Sequence, residues 1–174
     1  LREADRQFVA ANAPTFDDQP ALGNQWPFRD LESIKSAELP PRKPIMGPFL
    51  SSSVIVLAAA RGTGKTLLMT DIANAMASGE SFCDWDCEEP SKVAFVQLDM
   101  PIQAVQRRAM EKNWHANFHY VTRYDFQRAN MPIPNLGNPA HHEAIRSALK
   151  EYDVVIFDTR RAAQPPGEGA AGNV

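Results

Sequence analysis

The chain alternates between short, wholly apolar runs and longer stretches in which apolar residues recur every three or four positions. Residues 54–57 (Val-Ile-Val-Leu) are continuous, apolar and rich in β-branched side chains, the pattern of a strand buried on both faces of a parallel sheet. A glycine-bearing turn follows. Residues 66–78 then put Leu68, Ile72 and Met76 on one helical face, and Gly79 stands where a left-handed glycine ends a helix. The alternation repeats. Residues 93–98 predict a second strand, and Pro101 opens a helix running to about residue 113. Residues 118–121 predict a short third strand. After a Pro/Asn/Gly-rich loop at 131–139, residues 140–150 predict a helix and 154–157 a further strand ending at Asp158. Strands alternating with helices imply an α/β fold, a parallel sheet with helices on both sides.

The flanks lack this pattern. Residues 1–38, with Pro14, Pro20 and Pro27, show no sustained period and read as a poorly ordered lead-in. Residues 39–50 read as a proline-rich arm without regular structure, since four prolines fall within 39–48. The α/β core is expected at 51–161, and 162–174 reads as a flexible Pro/Gly/Ala-rich tail.

Composition narrows the class. The 174 residues, 44% hydrophobic and 22% charged, suit one soluble globular domain with a real core. No apolar run approaches a bilayer span, and the opening residues lack the apolar centre of a signal peptide. The chain therefore reads as a cytoplasmic fragment or processed product. A net charge of −3 gives no global pull toward nucleic acid, while leaving room for a local basic groove or one shared between subunits. Cys83 and Cys87, four apart in an acidic loop, lack convincing zinc partners among the four histidines and read as reduced thiols rather than metal ligands.

The turn after the first apolar run reads Ala59-Ala60-Arg61-Gly62-Thr63-Gly64-Lys65-Thr66, close to G-x-x-x-x-G-K-[ST] with alanine at the first glycine position. Small residues let successive N–H groups of Ala60, Arg61, Gly62, Thr63 and Gly64 turn inward and form a nest for phosphate oxygens. The following helix adds its positive N-terminal end. Lys65 would meet the β- and γ-phosphates of ATP, and the Thr66 hydroxyl would ligate Mg²⁺. A phosphate-free glycine turn is the bland alternative, and the flanking strand and helix patterns weigh against it.

Two acids end apolar strands, where ligands of open α/β sheets sit. Asp158 fits a carboxylate that holds Mg²⁺, against a turn-forming aspartate. Asp99 fits a base that activates water, and equally a cap for the helix near Pro101; the two roles are compatible.

These motifs together resemble the RecA-like P-loop ATPases of the RepA type, the AAA ATPases of plasmid and phage replicative helicases and their relatives. In that group the second strand commonly ends Asp-Gly-Glu-Met-Pro, followed by a helix with Leu-x-x-Arg-Leu. Here the positions are Gln97-Leu98-Asp99-Met100-Pro101, with Arg108 at the arginine. The resemblance covers about residues 30–160 and implies a RecA-like core, a catalytic carboxylate at Asp99 beside Lys65, and Mg²⁺ near Thr66 and Asp158. It also implies stacking of Arg108 on adenine, against a solvated helix residue. It further implies ATP cleavage between subunits of a ring-shaped homo-oligomer acting on single-stranded DNA. Aspartate in place of glutamate sets the base one methylene further from the water. The resemblance also implies later strands carrying a polar sensor and an arginine finger, which this sequence does not reach, so weak or absent hydrolysis is expected of these residues alone. A phosphotransferase with Arg160 and Arg161 as an acceptor clamp, or a nucleotide-binding module without turnover, are the other readings.

Overall fold

A computed structural model describes residues 27–39, 42–159 and 163. The sequence readings for 1–26, for Arg160 and Arg161 and for most of the expected tail lie outside the described residues. The chain divides into two units, Leu1–Lys43 and Pro44–Val174.

In the first unit the expected lead-in contains a helix. Asp30 accepts a hydrogen bond from Ser33 N at 2.7 Å and caps α1 (Leu31–Lys35), with Glu32 in the first turn and Lys35 in the last. Side chain, cap and helix dipole all act in the same direction.

The second unit opens with a correction to the proline-rich arm. Pro44–Met46 (β1) and Phe49–Leu50 (β2) pair antiparallel around Gly47-Pro48. The prolines do not prevent this, because Pro44 is the first residue of its strand and Pro48 lies in the turn, where no ladder N–H is required. The hairpin belongs to the core: Met46 is fully buried and bridges Cys87. Gly47 adopts φ +49°, and Trp85 packs directly on it where a Cβ would otherwise stand. Cys83 and Cys87 are both free, and burial pushes the Cys87 thiol up.

Three strands form the parallel sheet in the order β4-β3-β5. These are β3 (Val93–Gln97), β4 (Phe118–Thr122) and β5 (Val154–Asp158). Alternation along β3 divides the core. Val93 and Phe95 face α2 (Lys65–Ser78), packing with Ile72, Ala73 and Met76. Val96 and Leu98 face the other way, with Val121, Phe126, Ile133, Leu136 and Phe157 around them. Ala163, which the sequence reading placed in the tail, is fully buried in this second cluster. Helices α3 (Ile102–Met110), α4 (Arg123–Arg128) and α5 (Pro139–Leu149) complete the unit. The architecture is α/β with a parallel sheet flanked by helices, as expected of a RecA-like P-loop core.

Three sequence readings differ in detail. Residues 54–57 make no ladder and are exposed, Val54 at 95% and Val56 at 68%. The apolar run suits a strand covered on both faces, but the edge of β5 away from β3 has no partner among the described residues. Strand propensity is a preference for a covered pleated surface, and this segment has none. Leu68 is exposed at 42%, so the buried stripe of α2 runs through Ile72, Ala73 and Met76 without it. Helix α3 stops at Met110 and is capped by Pro101 without a side-chain bond, so Asp99 is not its cap.

Candidate functional site: a phosphate loop joined to two strand ends

The phosphate loop leads into α2, whose N-cap is Gly64 at φ +88°. Glycine has no side chain to accept from the first-turn N–H groups, and no side-chain cap bond forms. Such a helix start leaves its first donors without intrahelical partners, with the positive end of the dipole behind them. Gly62 also lies in the left-handed region, at φ +81°, and a Cβ on either glycine would meet nothing within 4 Å. The glycines are therefore required by backbone conformation, not by crowding. Gly64→Ala is expected to cost about 1–2 kcal/mol through the left-handed penalty alone, and Gly64→Asn less, since asparagine tolerates that region. Denaturant midpoints of the two variants check this; equal losses would rule out strain as the cause.

Lys65 is half-buried and folds its ammonium back over the loop, donating to Ala59 O and Ala60 O at 2.7 Å each. Thr63 Oγ1 donates to the same Ala60 carbonyl at 2.9 Å. Lys65 and Thr63 thus tie the end of the loop back to its start.

The next residue reaches the sheet. Thr66 Oγ1 donates to Asp158 Oδ2 at 2.7 Å, across 92 positions of sequence. The contact follows from the topology: β5 ends where the first turn of α2 begins. Gln97, the residue in register with Asp158 on the neighbouring strand, donates from Nε2 to the same oxygen at 2.5 Å. Its Oε1 accepts from Asp99 N at 2.9 Å and Met100 N at 3.2 Å.

Asp99 stands just beyond β3 with its side chain exposed. Its turn is held at several points. Leu98 N donates to Asp158 O at 2.8 Å, and Arg123 Nε donates to Leu98 O at 2.9 Å. Arg108 is half-buried rather than solvated, and its Nη1 donates to Met100 Sδ at 2.9 Å. Tyr120 completes the cluster beneath. Burial pushes its phenol up to about 12; its bond with Gln97 and the Arg108 charge act downward, and the Asp158 charge acts upward.

The structure thus brings Thr66 and Asp158 into contact, ties Asp158 to the Asp99 turn and sets Arg108 against that turn. Gln97 and Arg123 escaped the sequence reading. For Gln97 a signal existed: a polar residue closing an apolar buried strand must find partners, and it is fully buried.

The donor set fits a nucleotide with magnesium. An uncapped helix start and two left-handed glycines make an anion seat. A hydroxyl beside a carboxylate is what a P-loop contributes to Mg²⁺, which keeps several waters and takes its other oxygens from phosphate. Among the described residues no three His, Cys, Asp or Glu converge, and such a site requires none.

No curated protein matches the chain closely enough to count as a relative. The pattern of the AAA domain family matches residues 21–173, nearly the whole sequence. This chain belongs to that AAA family and is a nucleotide-binding module of the ATPase type.

Proposed function

We propose that this chain is the ATP-binding and ATP-hydrolysing module of a RepA-type, RecA-like DNA helicase or replication ATPase. It works in the cytoplasm as a ring of identical subunits on single-stranded DNA. The observation that carries the reading is the Thr66–Asp158 hydrogen bond, which joins the phosphate loop to the carboxylate strand end. Among the described residues no helix is long and apolar enough to cross a membrane.

Backbone N–H groups from Ala60 to Gly64 receive phosphate oxygens, and the dipole of α2 favours their charge. Lys65 Nζ leaves the Ala59 and Ala60 carbonyls for the β- and γ-phosphates, exchanging two neutral acceptors for charged ones. Thr66 and Asp158 hold Mg²⁺, which when bound neutralises charge on the phosphate oxygens. Asp99, exposed on its fixed turn, orients the attacking water and takes its proton. Arg108 lies alongside and lends its planar guanidinium to the adenine face.

Asp99→Asn is expected to keep ATP binding within a few-fold and to lower turnover by roughly 10²–10⁴-fold, the usual worth of a positioned base. Phosphate release with and without single-stranded DNA or nucleosides tests both levels of the reading. Unchanged turnover in the variant removes Asp99 from the mechanism. Stimulation by a nucleoside acceptor instead of DNA replaces the helicase by a phosphotransferase.

A further inference from the structure

The buried amide of Gln97 is used by neither the magnesium pair nor the base, yet it touches both. It is fully buried, at the last position of the central strand. Its orientation follows from its partners: Asp99 N and Met100 N are donors, so the carbonyl oxygen must face them, and the amine then faces the Asp158 carboxylate. The sequence resemblance places an aspartate at this position in the group. A carboxylate could accept from the two backbone N–H groups, but it would stand against Asp158 with no donor. Glutamine satisfies both sides at once.

We infer that Gln97 is a positioning residue that couples the Asp158–Thr66 pair to the Asp99 turn, so that the magnesium side and the water side of the site move as one unit. The inference deepens the ATPase reading and rests on it for its catalytic consequence, but its structural half stands apart from turnover. Asp158 Oδ2 receives two donors, Thr66 Oγ1 and Gln97 Nε2, which leaves the other carboxylate oxygen directed by both. Movement of Asp158 on binding a cation would pull on Gln97 and through it on the peptide that carries Asp99. A buried group with this many satisfied partners tolerates little displacement.

Two variants separate the two ends of the relay. Gln97→Met keeps the volume and removes both. Gln97→Glu keeps an acceptor for Asp99 N and Met100 N but faces Asp158 with a second carboxylate. Amide hydrogen exchange, read residue by residue, is compared with kcat and KM of Mg²⁺-dependent ATP turnover. In the parent protein the Asp99 and Met100 amides are protected. Gln97→Met exposes those two amides by about tenfold while the β3 amides stay protected. It also lowers kcat by roughly 10- to 100-fold with little change in KM, the cost of a misplaced group. Gln97→Glu retains the protection, because a carboxylate still accepts from the Asp99 and Met100 amides, while its kcat falls as in Gln97→Met because the Asp158 end of the relay is lost. Unprotected Asp99 and Met100 amides in the parent, or protected ones in Gln97→Met, overturn the inference. If Gln97→Met fails to fold, Gln97→Glu decides alone: unprotected Asp99 and Met100 amides in it, or a kcat equal to the parent's, overturn the inference. If the parent protein neither binds nor cleaves ATP, the ATPase reading fails, while the amide exchange still passes judgement on Gln97.

Discussion

Lys65→Ala is expected to abolish measurable ATP turnover, lowering kcat/KM by at least roughly 10²–10³-fold, the cost of removing one preorganised group that meets developing charge. The lysine is the loop cation directly preceding Thr66, at the start of α2. Its ammonium spans two loop carbonyls at 2.7 Å each. Both contacts are short-range hydrogen bonds to neutral oxygens, and phosphate offers the same donor a charged acceptor, about twice as strong. The exchange therefore favours the bound state. The residue is half-buried and sits outside both apolar clusters, so melting temperature should hardly move. Lys65→Arg is a useful second variant: it keeps the charge, but a planar fork does not fit a loop closed around a compact ammonium. Titration with a fluorescent ATP analogue and phosphate release measure the two effects. Turnover at the parent's rate in Lys65→Ala would remove the loop from the chemistry and, with it, the ATPase reading.

The parts of the molecule that were legible in sequence share one physical property: they are governed by local pattern. The runs at 93–98, 118–121 and 154–157 are apolar apart from Gln97 and His119, as suits strands of a parallel sheet flanked by helices. They appear as β3, β4 and β5 within a residue or two of their expected ends. Gly79 ends α2 at φ +77°, where its Cβ-free backbone lets Pro90 approach. The segment at 54–57 carries the same pattern without the same environment. Its run specifies what the residues want, while sheet membership also requires a neighbour to supply hydrogen bonds. The hairpin at Pro44–Leu50 errs in the opposite direction. Counting prolines excluded regular structure there, but only the positions whose N–H must enter a ladder matter, and Pro44 and Pro48 are not among them.

The site divides in the same way. Motif spacing located Lys65, Thr66 and Asp158, because their chemistry is fixed to one loop and one strand end. The meeting of Thr66 with Asp158 at 2.7 Å depends on strand order, which no local window contains. Gln97 and Arg123 are further from reach. Each acts through hydrogen bonds to partners 25 to 61 positions away, and neither residue type is diagnostic alone. What was readable at Gln97 was a contradiction: a polar side chain in a run destined for full burial. Contradictions of that kind tend to mark functional positions, since only a specific partner can offset the cost of burial.

Phe95→Ala carries the largest stability effect expected of a single change, about 3–5 kcal/mol. Phe95 is fully buried at the centre of the middle strand. Its ring stacks on Tyr120 with centroids 4.9 Å apart and planes within 4°, and meets Phe118 edge-on at 6.1 Å. On the other side stand Ile72 and Met76 of α2. Truncation leaves a cavity whose walls belong to three strands and a helix, so no single element can shift to fill it. Against a typical total of about 5–15 kcal/mol the loss is a large share, and the melting temperature should fall by about 10 °C or more. Phe95→Leu, which keeps most of the volume, should lose less than half as much. The consequence reaches the site. Tyr120 would lose the ring it stacks on, and Phe95 lies on the same strand two positions before Gln97, which holds both Asp158 and the Asp99 turn. Below its melting point, Phe95→Ala should therefore turn over ATP more slowly than its folded fraction predicts, whereas Phe95→Leu should not. Thermal denaturation alongside turnover at 15 °C, well inside the folded range, separates the two contributions. A melting temperature within about 2 °C of the parent would mean that the ring is not packed at the heart of the sheet, and the placement of every strand-end residue above it would fall with it.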